Sequence, residues 1–184
     1  MERICVYCGS SSSAASVYSE TARAFATELV ERDIGLVYGG AKDGVMGSLA
    51  DAMLEAGGEV TGVIPETMLD AEEPHPGLTE LQTTESKDER KQRMTELADG
   101  FAALPGGIGT QEEILQSLGR AKHGEHTDPC GFLNVNGYYD SLVEFFDNAE
   151  TEGFVSPEQR ELVLVAETPV ELLDAFEEYE SPIV

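Results

Sequence analysis

Apolar residues along the chain fall into two alternating rhythms. Ile4-Cys5-Val6-Tyr7 is a short apolar run that reads as a strand. From Ser16 to Arg32 the apolar residues Val17, Ala22, Phe25, Ala26 and Leu29 recur at helical spacing. The alternation then repeats. Strands are predicted at Gly35 to Tyr38, Val60 to Ile64, Leu78 to Gln82, Phe101 to Leu104, Gly131 to Val135 and Leu162 to Ala166. Helices are predicted at Val45 to Ala56, Asp88 to Ala98, Thr110 to Leu118, Asp140 to Glu150 and Val170 to Tyr179. Gly57-Gly58 stops one helix, and Pro65 and Pro105-Gly106-Gly107 each close a strand.

Strands flanked by helices at this rhythm imply a parallel sheet covered on both faces. The expected fold class is α/β, a doubly wound Rossmann-like sheet. No internal repeat or linker interrupts the pattern, so residues 1–184 read as a single domain. Sheets of this kind bind ligands at the carboxyl ends of their strands. The loops after each strand are therefore the places to look for chemistry.

Charge narrows the partners. The chain carries 36 acidic residues against 11 basic ones, a formal net charge of −25. In an apolar-poor sequence that charge favours disorder. Here 41 % of residues are hydrophobic and periodic, which points to a folded domain with a carboxylate-rich surface. Salt screens the repulsion on such a surface, so the composition fits a high-salt, halophilic cytoplasm. A field of this sign repels phosphate backbones and anionic membranes, which excludes general nucleic-acid and membrane binding. No apolar run approaches the ~20 residues of a membrane helix, and the first residues lack a signal-peptide core. A soluble, cytoplasmic protein is expected. Cys5, Cys8 and Cys130 give no disulfide framework. Cys5 and Cys8 have redox-motif spacing, but strand side chains three apart point to opposite faces. His123, His126, Asp128 and Cys130 crowd one loop without zinc-site spacing, so no metal is expected.

Three loops are candidates. Leu104-Pro105-Gly106-Gly107-Ile108-Gly109-Thr110 leaves a predicted strand and enters a predicted helix. Its glycines let the backbone approach a ligand, and the helix start offers free N–H groups and a positive dipole end to a phosphate. Thr110 adds a hydroxyl or caps the helix. Tyr38-Gly39-Gly40 through Gly44-Val45-Met46-Gly47 is a second strand-to-helix loop. It lacks the G-x-G-x-x-G spacing of dinucleotide sites, and the chain has no P-loop. Cys8-Gly9-Ser10-Ser11-Ser12-Ser13 is the third; it suits a phosphate or ribose and equally a solvated loop. Arg90 and Lys91 are two of the few cations, and spacing alone also allows them an intrahelical ion-pair face with Glu85, Glu89 and Glu96.

Pro105-Gly106-Gly107-Ile108-Gly109-Thr110-Gln111-Glu112-Glu113 resembles the P-G-G-x-G-T-x-x-E signature of the LONELY GUY (LOG) family of cytokinin riboside 5′-monophosphate phosphoribohydrolases, proteins once labelled lysine decarboxylases. Cys5 to Ser11, Val37 to Gly47, His75 to Leu81, Glu89-Arg90-Lys91 and Gly131 to Val135 resemble further family segments, in order, over nearly the whole chain. The resemblance implies a Rossmann-like homodimer with active sites near the interface. It implies Arg90 and Glu113 as catalytic residues and Glu72 and Lys91 as substrate contacts. Gly106, Gly107, Ile108, Gly109 and Thr110 would hold the phosphate, with Ser10, Gly39 and Gly40 in the other glycine loops. Two stretches depart from the family pattern: Lys87-Asp88 stands for Met-His and Gly119-Arg120 for Thr-Trp, near the family's base pocket.

The implied reaction cleaves the N-glycosidic bond of a nucleoside 5′-monophosphate, of cytokinin riboside monophosphate or AMP type, to free base and ribose 5-phosphate. Positive charge builds on the ribose, and a carboxylate nearby stabilises it or orients water. No cofactor is required. The alternative is a non-catalytic nucleotide or molybdenum-cofactor carrier on the same fold. A decarboxylase would need pyridoxal phosphate on a lysine, and Lys42, Lys87, Lys91 and Lys122 lack a clear buried context.

Overall fold

The computed structural model describes residues 1–69 and 73–183. Its strands are β1 (Arg3–Tyr7), β2 (Gly35–Tyr38), β3 (Val60–Pro65), β4 (Glu80–Thr84), β5 (Phe101–Ala103), β6 (Cys130–Leu133) and β7 (Val163–Ala166). Its helices are α1 (Ser16–Glu31), α2 (Gly44–Glu55), α3 (Lys87–Glu96), α4 (Ile108–Lys122), α5 (Asp140–Thr151), α6 (Pro157–Glu161) and α7 (Pro169–Glu177). All strand pairs are parallel, in the order β4-β3-β2-β1-β5-β6-β7. The α/β, doubly wound arrangement expected from the apolar rhythm is the one the chain adopts.

Strand periodicity divides the core. Ile4 and Val6 of β1 join the apolar residues of α1, α2 and α7 on one face. Cys5 and Tyr7 join those of α3 and α4 on the other. Cys8 belongs with the first group, so Cys5 and Cys8 face opposite cores and form no redox pair. Burial raises the pKa of both thiols, which keeps them protonated.

The chain runs outward from β1 to β4, then returns to place β5 against the other side of β1. The carboxyl ends of β1 and β5 therefore mark the switch point, where sheets of this kind bind their ligands. The loops that follow these two strands nearly touch. Gly9 N donates to Pro105 O at 3.2 Å, and a β-carbon on Gly9 would lie 3.4 Å from Gly106 Cα.

Most element ends shift by one or two residues, and three differences from the sequence reading have a physical reason. Helix α4 starts at Ile108, two residues before Thr110, with Gly107 as its N-cap. Thr110 therefore sits inside the first turn, buried, and is not the cap. Strand β4 pairs from Glu80 to Thr84, whereas Leu78 packs against the core and Thr79 uses its hydroxyl to accept from Val60 N. Its polar sequence fits an edge strand, which gives little apolar signal. Helix α6 was not anticipated. It is five residues long, too short to show periodicity, and is set by a Ser156–Gln159 capping box with Pro157 at its start.

Among the described residues, no helix is long and apolar enough to cross a membrane. None of their His, Cys, Asp and Glu side chains gather in a group of three that would hold a metal ion.

Candidate active site

A cleft of about 370 Å³ opens at the switch point. Cys8 to Ser11 follow β1 into it, Gly39 follows β2, and Met68 follows β3. Helix α3 contributes Lys87, Arg90, Lys91 and Met94; α4 contributes Gly109, Thr110, Glu112 and Glu113, with Gly107 just before it. This is pocket size for a small organic ligand.

Helix α3 begins where Ser86 Oγ accepts from Glu89 N at 3.2 Å. One turn in, Arg90 Nη2 stands 3.7 Å from Glu113 Oε1 of α4. Both side chains are largely buried, at 11 % and 18 % exposure. At 3.7 Å the pair is an electrostatic contact rather than a tight hydrogen bond. Arg90 Nε is buried and has no hydrogen-bond partner among the described residues. An unmatched buried donor is costly, and such groups concentrate where function needs them. The two helix starts, separated in sequence, thus converge on one sheet edge.

Among the described residues, Arg90 and Lys91 pair with Glu113, Asp88 and Glu112, not with Glu85, Glu89 and Glu96 as spacing allows. Glu89 instead accepts from Glu85 N at 2.8 Å, and Glu96 pairs with Arg93 at 3.2 Å. Lys91 Nζ reaches across to Glu112 Oε1 at 2.7 Å and also lies 3.5 Å from Asp88. That hydrogen bond raises the Lys91 pKa and lowers that of Glu112.

The first turn of α4 lines the cleft through Gly109 and Thr110, with the N-cap Gly107 beside them. The initial N–H groups of a helix lack intrahelical acceptors. A β-carbon on Gly107 or Gly109 would meet nothing within 4 Å, so the space beside this turn is open. Gly106 is the opposite: its β-carbon would lie 2.1 Å from Thr110 Oγ1.

The family model described as "Possible lysine decarboxylase" matches residues 46–176. Cytokinin riboside 5′-monophosphate phosphoribohydrolase LOG3 of Arabidopsis thaliana is 44 % identical over 96 % of this chain and 82 % of its own. LOG7 of the same plant is 45 % identical over 97 % and 82 %. The chain belongs to the LONELY GUY family. Its curated relatives are named as phosphoribohydrolases, not decarboxylases. Among solved structures, the molybdenum cofactor binding protein of Rippkaea orientalis superposes with a TM-score of 0.73 at 18 % identity, covering 96 % of each chain. The molybdenum cofactor carrier protein of Chlamydomonas reinhardtii gives 0.72 at 19 %, again over 96 % of each. At that identity the likeness concerns fold alone.

Of the residues that the LONELY GUY signature singles out, Ser10, Gly39, Arg90, Lys91, Gly107, Gly109, Thr110 and Glu113 line the cleft. Gly106 is not among the described lining residues, and the Ile108 side chain is 89 % exposed. Gly40 is not among the lining residues. Its φ of +84° turns the chain, and its carbonyl accepts from His75 N at 2.9 Å. Glu72 lies outside the described residues. Sequence alone gives no reason to place Val6, Tyr7, Met68 and Met94 in the cleft, whereas Ser11 and Met46 belong to the candidate loops, Glu112 to the signature and Lys87 to the stretch near the family's base pocket.

Proposed function

We propose that the chain hydrolyses the N-glycosidic bond of a nucleoside 5′-monophosphate, of cytokinin riboside monophosphate or AMP type. Water adds at C1′ as the C1′–N bond breaks; the base leaves with a proton and ribose 5-phosphate remains. The observation that carries this reading is the Arg90–Glu113 pair, 3.7 Å apart in the same cleft as the open first turn of α4. That turn suits an anion, because its free N–H groups and dipole end offer positive charge. The Glu113 carboxylate then stabilises the cationic ribose of the transition state. Arg90 fixes the carboxylate and adds a cation beside an anionic substrate. Phosphate contacts supply binding energy remote from the bond that breaks. Lys91 serves as a further substrate contact, and Glu72 takes the role that the family signature gives it. The same reading takes residues 1–184 as one domain, paired with a second copy.

The test is release of adenine and ribose 5-phosphate from AMP by the pure protein. Glu113→Gln keeps shape but removes the charge that a cationic transition state needs. Its kcat should fall at least about 100-fold, with KM changed far less. Near wild-type release of base by that variant would remove Glu113 from the chemistry. No release by the unaltered protein from AMP or cytokinin riboside monophosphate would favour the carrier reading.

A further inference from the structure

Helix N–H groups serve an anion only if neighbouring carbonyls are turned elsewhere, because a carbonyl oxygen facing a phosphate repels it. Around the glycine loop four carbonyls in succession are already occupied. Leu104 O accepts from Tyr139 Oη at 2.7 Å, and Pro105 O from Gly9 N at 3.2 Å. Gly106 O accepts from Tyr138 Oη at 2.7 Å, and Gly107 O from Gln111 N at 3.1 Å.

Two of these donors are adjacent tyrosines on the turn between β6 and α5. That turn is shaped to deliver them. Asn136 and Gly137 take positive φ values of 52° and 69°. Asn134 Oδ1 accepts from Tyr139 N at 2.7 Å, and Asn134 Nδ2 donates to Asp140 Oδ1 at 2.7 Å. Neither tyrosine lines the cleft.

The bond to Gly106 has a particular consequence. A trans peptide unit points its C=O and N–H in opposite directions. Anchoring the Gly106 oxygen therefore fixes the direction of the Gly107 N–H, and Gly107 does line the cleft. Flanked by two glycines, this peptide unit has little else to hold its orientation. We propose that Tyr138 is a positioning residue for the phosphate loop. Its hydroxyl holds the Gly106 carbonyl away from the ligand so that the Gly107 N–H faces it. The proposal rests on the reading that this loop holds the substrate's phosphate.

Tyr138→Phe isolates the effect. Tyr138 is half-exposed and packs edge-to-face on Tyr18 at 5.4 Å, a contact that phenylalanine keeps. The released carbonyl can then take water. Titration calorimetry with ribose 5-phosphate and with adenosine separates a phosphate-bearing ligand from a phosphate-free one. Tyr138→Phe should weaken ribose 5-phosphate about fivefold, as loss of one neutral hydrogen bond does, and leave adenosine unchanged. Equal weakening of both ligands would mark a general structural role, and no change in either would mark no role; each overturns the proposal. A second variant, Gly107→Asp, reports on the underlying reading. Its side chain has open space, and its charge should abolish ribose 5-phosphate binding. Retained affinity in Gly107→Asp would remove the phosphate-loop reading and this inference with it. Loss there with Tyr138→Phe unaffected would remove the inference alone.

Discussion

A β-carbon on Gly39 would lie 2.3 Å from Arg90 Nη2 and 2.5 Å from Met46 Cε. The glycine thus leaves room for a guanidinium, whatever it does for a ligand. Gly39→Ala should push Arg90 from its place 3.7 Å from Glu113. Misplacing a reacting group by about 1 Å costs on the order of 100-fold in rate, and a loss of kcat/KM of that size is expected. In an Arg90→Ala background the same substitution should add little, because residues acting through one another are non-additive. Additive losses in that double-mutant cycle would show that Gly39 acts by another route. From sequence, Gly39 reads as a loop glycine near a ligand. Which side chain fills the space beside it depends on a helix fifty residues away and is not written locally. The same holds for Met46 of α2 and Met94 of α3. A methionine at helical spacing carries the same signal whether it lines a cleft or a core.

Elements were far more legible than their side-chain partners. The apolar rhythm alone gives the alternation of strands and helices, and right-handed crossovers then dictate a parallel sheet. Pro105-Gly106-Gly107 marks the end of β5 without reference to any distant residue. What the rhythm misses is short or polar: α6 is held by its capping box, and β4 by register against β3. Tertiary hydrogen bonds are equally silent in the sequence, and Tyr139 is an example. Its buried hydroxyl ties the start of α5 to Leu104 O at 2.7 Å, at the end of β5. Tyr139→Phe would leave that carbonyl without its donor in a closed environment. Such a loss costs about 1–3 kcal/mol, so the urea midpoint should fall at unchanged slope. An unchanged midpoint would mean that the bond contributes nothing net to folding.

At the scale of the whole molecule, a net charge of −25 repels itself. The Debye length falls from ~10 Å at 0.1 M salt to ~3 Å at 1 M, so molar salt should relieve much of this repulsion. Melting temperature is expected to rise strongly between dilute buffer and molar KCl; a flat profile would remove the halophilic reading. One face stands apart from the acidic surface. Leu115, Leu118, Phe146, Val155, Leu162 and Val163 line a shallow hollow between α4, α5 and α6, with Lys122 the single charged residue among the described residues of its lining. Phe145 and Phe154, on α5 and just beyond it, are 61 % and 84 % exposed. Along α4, Leu115 lies two turns from Ile108, on the side of the helix that also carries Glu112 of the cleft. Apolar surface thus runs from the hollow toward the cleft mouth. Interface centres are depleted in charge, and this face has the composition that a second copy would bury. Light scattering in molar salt should then give about twice the 19.8 kDa of one chain. Phe154→Glu together with Leu115→Glu would place like charges on both sides of a two-fold contact, and should shift the mass to that of a single chain. A protein that is monomeric before those changes, yet fully active on AMP, would sink the paired-site arrangement.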